Sequence, residues 1–64
     1  MTYFVYTYTR GVRNLLSEHL RMGYVDGALD KARKVRGAVI ADEFGKVYTP
    51  EAAFRIEEQE VRRA

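Results

Sequence analysis

Thr2-Tyr3-Phe4-Val5-Tyr6-Thr7-Tyr8-Thr9, then Arg10-Gly11, then Val12-Arg13-Asn14-Leu15-Leu16-Ser17-Glu18-His19-Leu20 is the stretch that decides the fold, because the residue pattern changes within it. Residues 2–9 are β-branched or aromatic throughout and read as a strand. Phe4, Tyr6 and Tyr8 fall on one side, and Tyr3, Val5, Thr7 and Thr9 on the other. Both sides are partly apolar, so the strand is expected to be central in its sheet, or to turn one side to a partner. Arg10-Gly11 ends the run. From Val12 the spacing becomes helical: Val12, Leu15, Leu16, His19 and Leu20 stand at i, i+3, i+4, i+7 and i+8. A helix over 11–22 is expected, with Gly23 ending it in a left-handed conformation.

Working outward, Asp26 reads as the N-cap of a second helix over 27–36. Its apolar stripe is Ala28, Leu29, Ala32 and Val35, and Gly37 closes it. Residues 38–49 read as a hairpin, with strands 38–41 and 46–49 around the turn Asp42-Glu43-Phe44-Gly45. Pairing Ala41 with Lys46 sets Ile40 opposite Val47 as the core pair, and a bulge at Gly45 would swap the faces. Thr49-Pro50-Glu51 starts a last helix, over 50–61: Thr caps, Pro takes the first helical position and Glu the first turn. The expected fold is one α+β domain over 1–64, ordered β-α-α-β-β-α, with a three-stranded antiparallel-type sheet packed with helices.

Composition limits the chemistry. At 47% hydrophobic and 31% charged residues the chain is globular rather than disordered. Sixty-four residues make a thin core, and with no Cys neither a disulfide nor a thiolate metal site can reinforce it. Self-association, as a homodimer, is one remaining route to stability. No run approaches the ~20 apolar residues of a membrane helix, and no signal peptide opens the chain, so a cytoplasmic protein is expected. His19 alone holds no metal, and the scattered glycines form no phosphate-cradling loop, so no metal or cofactor is expected. On a helix, Ser17 and His19 point about 200° apart and cannot meet. Asp42-Glu43 lies in a turn, and Glu57, Glu58 and Glu60 lie on the last helix, where carboxylates stay solvated. A non-enzymatic protein follows.

Binding candidates are of two kinds. Lys31, Arg33, Lys34 and Arg36, joined by Arg10 and Arg13, can neutralise phosphates. The same charges also complement a helix dipole, with Asp30 pairing to Lys34. Residues 1–37 hold seven Lys/Arg against three Asp/Glu, whereas 38–64 hold four against six, so the charge is divided along the chain. The second kind is aromatic: Tyr3 and Tyr48, with Phe44 at the turn tip, offer rigid amphipathic contact area.

Two resemblances bear on function. The run Ala28-Leu29-Asp30-Lys31-Ala32-Arg33-Lys34, leading into Gly37-Ala38-Val39-Ile40 and Gly45-Lys46-Val47-Tyr48, resembles small accessory proteins of bacteriophages and prophages, anti-CRISPR inhibitors among them. The likeness covers about half the chain and carries no residue roles. It implies an inhibitor that blocks a larger protein or nucleoprotein complex by shape and charge. One strand followed by two helices also resembles the dimeric ribbon-helix-helix regulators, which implies Thr2, Tyr3, Thr7, Thr9 and Arg10 facing DNA. The bulk of Phe4, Tyr6 and Tyr8, and the extra residues 38–64, depart from that pattern. A structural subunit of an assembly is the third reading.

Overall fold

The β-branched and aromatic run forms β1 (Tyr3–Thr9), and β1 lies inside the sheet. The computed structural model describes residues 1–23 and 26–63. Among these the chain continues through β2 (Val12–His19), α1 (Ala28–Lys34), β3 (Val39–Asp42), β4 (Val47–Tyr48) and α2 (Pro50–Arg63). The sheet order is β2-β1-β3-β4, antiparallel at every step. The α+β class stands, but the order is β-β-α-β-β-α and the sheet has four strands rather than three.

The difference lies in residues 11–22, where Val12–His19 form a strand in place of the expected helix. Arg10 (φ 51°) and Gly11 (φ 80°) both take left-handed backbone, and Thr9 pairs with Val12 across them. Two such residues make the primed two-residue turn whose twist suits a hairpin, so the chain reverses at once. A bulge then interrupts the alternation of β2. Val5 pairs with Ser17 and Tyr6 with Leu15, which leaves Leu16 as an extra residue in β2. Same-face residues consequently stand at 12, 14, 17 and 19 on one side and at 13, 15 and 18 on the other, so the expected stripe is divided between the two sides. The strand–helix–helix order behind the ribbon-helix-helix likeness is therefore not present.

The core lies between the sheet and its helices. Tyr3, Val5 and Ile40 meet Met22, Ala28, Leu29 and Ala53 there. Asp26 does not cap α1: Gly27 holds the N-cap position, without a side-chain cap. A Cβ on Gly27 would strike the backbone of Met22 and Gly23, so glycine is needed for that close approach rather than to end a helix at Gly23. Ala28 N–H donates to Arg21 O and Leu29 N–H to Met22 O, both at 2.9 Å. Met22 N–H in turn donates to both carboxylate oxygens of Glu60, at 2.9 and 3.0 Å, which ties α2 to this crossing.

At the far edge, Gly45 (φ 83°) forms the bulge and shifts the register. Ile40 pairs with Tyr48 and Ala41 with Val47, so Tyr48 rather than Val47 joins the core side. Asp42 closes this turn by accepting Phe44 N–H and Lys46 N–H at 2.9 Å. The expected start of α2 is present: Thr49 Oγ1 accepts Ala52 N–H at 3.2 Å.

Candidate functional site

Strand alternation divides the sheet into two unlike faces. Tyr3, Val5, Ile40 and Tyr48 point to the side covered by α1 and α2. The opposite side presents Phe4, Tyr6 and Tyr8 from β1 and Arg13, Leu15 and Glu18 from β2. Val39 and Ala41 of β3 and Val47 of β4 share that side. Among the described residues no helix covers it. Tyr8, Leu15 and Val47 are 57%, 57% and 56% exposed.

This open face is ordered by its own side chains. Tyr6 meets the Tyr8 ring edge-on, with centroids 5.5 Å apart, and the Arg13 guanidinium lies 5.3 Å from the Tyr6 centroid. Tyr6 is therefore only 4% exposed without touching the helix-side core. Burial, then its contact with Tyr8, pushes its hydroxyl above the usual phenol range. A groove of about 370 Å³ runs beside it, lined by Phe4, Tyr6, Arg13, Leu15, Ala41 and Glu43. The face is charged at both ends. Arg13 stands opposite Tyr8 near the Arg10 turn, whereas Glu18 stands opposite Phe4, at the end where Glu43 accepts Thr2 N–H at 3.0 Å.

The residues singled out from the sequence are dispersed. Lys31, Arg33 and Lys34 belong to α1, and Arg36 follows it, so this set is on the covered side of the sheet, away from Arg13. Asp30 holds Lys34 Nζ at 3.2 Å and stands 3.6 Å from Arg33 Nε. The Lys34 hydrogen bond keeps the Asp30 carboxyl below the usual range. The six cations thus do not make one patch.

Phe44 sits at its turn tip, 78% exposed. Tyr3 does not offer contact area: it is buried, packed edge-on against Tyr48 at 5.7 Å, because β1 needs a large side chain under α1 and α2. Tyr48 is half-buried and donates its hydroxyl to Asp42 Oδ2 at 2.7 Å. Burial and that carboxylate push the Tyr48 phenol up to about 12. The same bond, with the backbone donors of Lys46 and Phe44, holds Asp42 below the carboxylate range.

Ser17 and His19 do meet, contrary to the helical placement, because alternate residues of a strand share a face. Ser17 Oγ lies 2.7 Å from His19 Nε2, and His19 Nδ1 lies 3.2 Å from the Asp26 carbonyl. A carbonyl only accepts, so Nδ1 carries the hydrogen and Nε2 accepts from Ser17 in the neutral ring. Neither side chain lines the open-face groove or the cleft between α1, β4 and α2. The pair fastens β2 to the start of α1. Among the described residues no group of three His, Asp or Glu side chains could hold a metal ion, and no helix is long and apolar enough to cross a membrane.

Leu15, Glu18 and Val47 were not picked out as binding residues. The available signals were Arg10-Gly11 as a two-residue turn and the continued alternation of Arg13 and Leu15 after it. No family model, no curated protein and no solved structure matches the chain.

Proposed function

We propose that this chain is a non-enzymatic protein-binding module whose contact surface is the open face of its sheet. One observation carries the reading: Tyr8, Leu15 and Val47 are each more than half exposed on a sheet face that carries Arg13 towards one end and Glu18 towards the other. Exposed apolar patches of that kind, with aromatic and Arg residues at their centre, are characteristic of protein interfaces. A rigid sheet face suits action by occlusion, as the resemblance to anti-CRISPR inhibitors implies, with a larger complex as the target. Leu15→Glu tests the reading. It is expected to abolish the chain's effect in its native host while leaving the circular dichroism spectrum and melting temperature intact. An unchanged effect would remove the face from the function.

Direct contact with nucleic acid is a second reading, favoured by one feature. Among the described residues the β1–β2 ribbon pairs with no third strand past Tyr6, and it carries Arg10 and Arg13. Two-stranded ribbons fit the major groove. A salt-sensitive shift of duplex DNA, lost in the Arg10→Glu/Arg13→Glu variant, would support it.

A further inference from the structure

Along β1 and β2 the open face is nearly symmetric in shape and opposite in charge about its middle. β1 presents Phe4, Tyr6 and Tyr8 in even steps, and opposite them β2 presents Glu18, Leu15 and Arg13. The bulge at Leu16 makes this possible, since it brings Glu18 onto the same side as Arg13 and Leu15. Glu43 extends the acidic end, and Arg10 extends the basic end.

We propose that the occupant of this face is a second copy of the chain, stacked sheet on sheet about a two-fold axis that lies in the interface and crosses the strands at Tyr6 and Leu15. The proposal rests on the reading of the face as a protein-docking surface and names its partner. The two-fold lays Leu15 on Leu15, Tyr8 against Phe4 of the second copy, and Arg13 against its Glu18. An isologous contact requires a surface complementary to itself, and an apolar centre flanked by opposite charges meets that requirement. The other in-plane axis, along the strands, would stack basic end on basic end, and like charges in an interface weaken it.

Size sets the strength. Strand spacing and rise make the face roughly 20 Å by 15 Å. That is roughly 300 Å² in plan, well under the ~800 Å² per partner of a standard interface, so the pairing is weak. The pairing therefore grows with concentration, and a larger protein partner competes for the same face.

Charge exchange tests this. In sedimentation equilibrium at low salt, the wild-type chain is expected to move from its 7.4 kDa monomer to twice that mass as concentration rises. Arg13→Glu and Glu18→Arg should each weaken dimerisation roughly tenfold by setting like charges across the interface. The double variant Arg13→Glu/Glu18→Arg should recover most of that loss, because the two exchanged charges meet again. Two-dimensional amide spectra of each variant confirm the fold, and the Glu18→Arg arm keeps the test intact if Arg13→Glu disturbs Tyr6. A chain that stays monomeric near millimolar concentration overturns the proposal, as does a double variant no tighter than the singles. Neither result touches the docking reading, which stands or falls on the host effect of Leu15→Glu.

Discussion

The two faces of this sheet are made by the same four strands and differ in almost everything else. The covered face holds Tyr3, Val5 and Ile40 against Met22, Leu29 and Ala53, where each side chain is fixed by several elements. The open face holds Phe4, Tyr6, Leu15 and Val47 with no helix above them, and its order comes from Tyr6, Tyr8 and Arg13 packing on one another. In a chain of 64 residues there is apolar material for one thin core, yet Tyr8, Leu15 and Val47 on this face are more than half exposed. Apolar side chains that do not stabilise the fold are explained most simply by what they touch when the chain is not alone.

The sharpest way to break this contrast is to truncate one side chain on each face at concentrations where the chain is monomeric. Met22 is fully buried, and Met22→Ala should cost about 2–5 kcal/mol in a denaturant titration. Leu15→Ala, on the open face, should change stability by no more than about 0.5 kcal/mol. Equal losses would mean that the open face belongs to the monomer's core.

The Asp42–Tyr48 bond allows a finer comparison, since it fastens the rim of the covered face. Tyr48→Phe should cost about 1 kcal/mol at neutral pH. Asp42 has a depressed folded pKa, so its contribution is complete above the ordinary carboxylate value and is lost as pH falls through the lower folded value. Tyr48 is displaced the other way. Its contribution is complete below the ordinary value of 10.0 and is lost as pH rises from there towards about 12. Thermal melts across both limits should show stability falling at each, and Tyr48→Phe should flatten both arms. Tyr6, whose hydroxyl is also displaced upward, should leave a residual alkaline arm in Tyr48→Phe.

The smallest effect concerns the turn that creates the open ribbon. Arg10 is held at φ 51°, a conformation that Asn adopts more readily in a primed turn. Arg10→Asn should therefore stabilise the hairpin by about 0.5 kcal/mol, as seen in slower amide exchange at Thr9 and Val12. A loss would argue against the primed turn.

Much of the covered half was legible in the sequence. β1, the β3–β4 hairpin and the Thr49-Pro50 start of α2 follow from local chemistry that the fold does not override. The open half was not. Val12, Leu15, Leu16 and His19 read as a helical stripe because their apolar spacing matches three and four, although in the strand they are divided between the two sides by the bulge at Leu16. The second error followed from the first: with 12–19 helical, the Phe4–Tyr6–Tyr8 side had no neighbouring strand to make it a surface. Tyr3 reads as a contact residue in the sequence because strand alternation does not reveal which side the helices cover.

The most direct test of the open face is a solvent paramagnetic probe applied to the dilute, monomeric chain. Resonances of Tyr8, Leu15 and Val47 are expected to broaden strongly, while those of Val5, Ile40 and Met22 remain sharp. Equal protection of the two sets, or helical amide–amide contacts through residues 12–19, would contradict it.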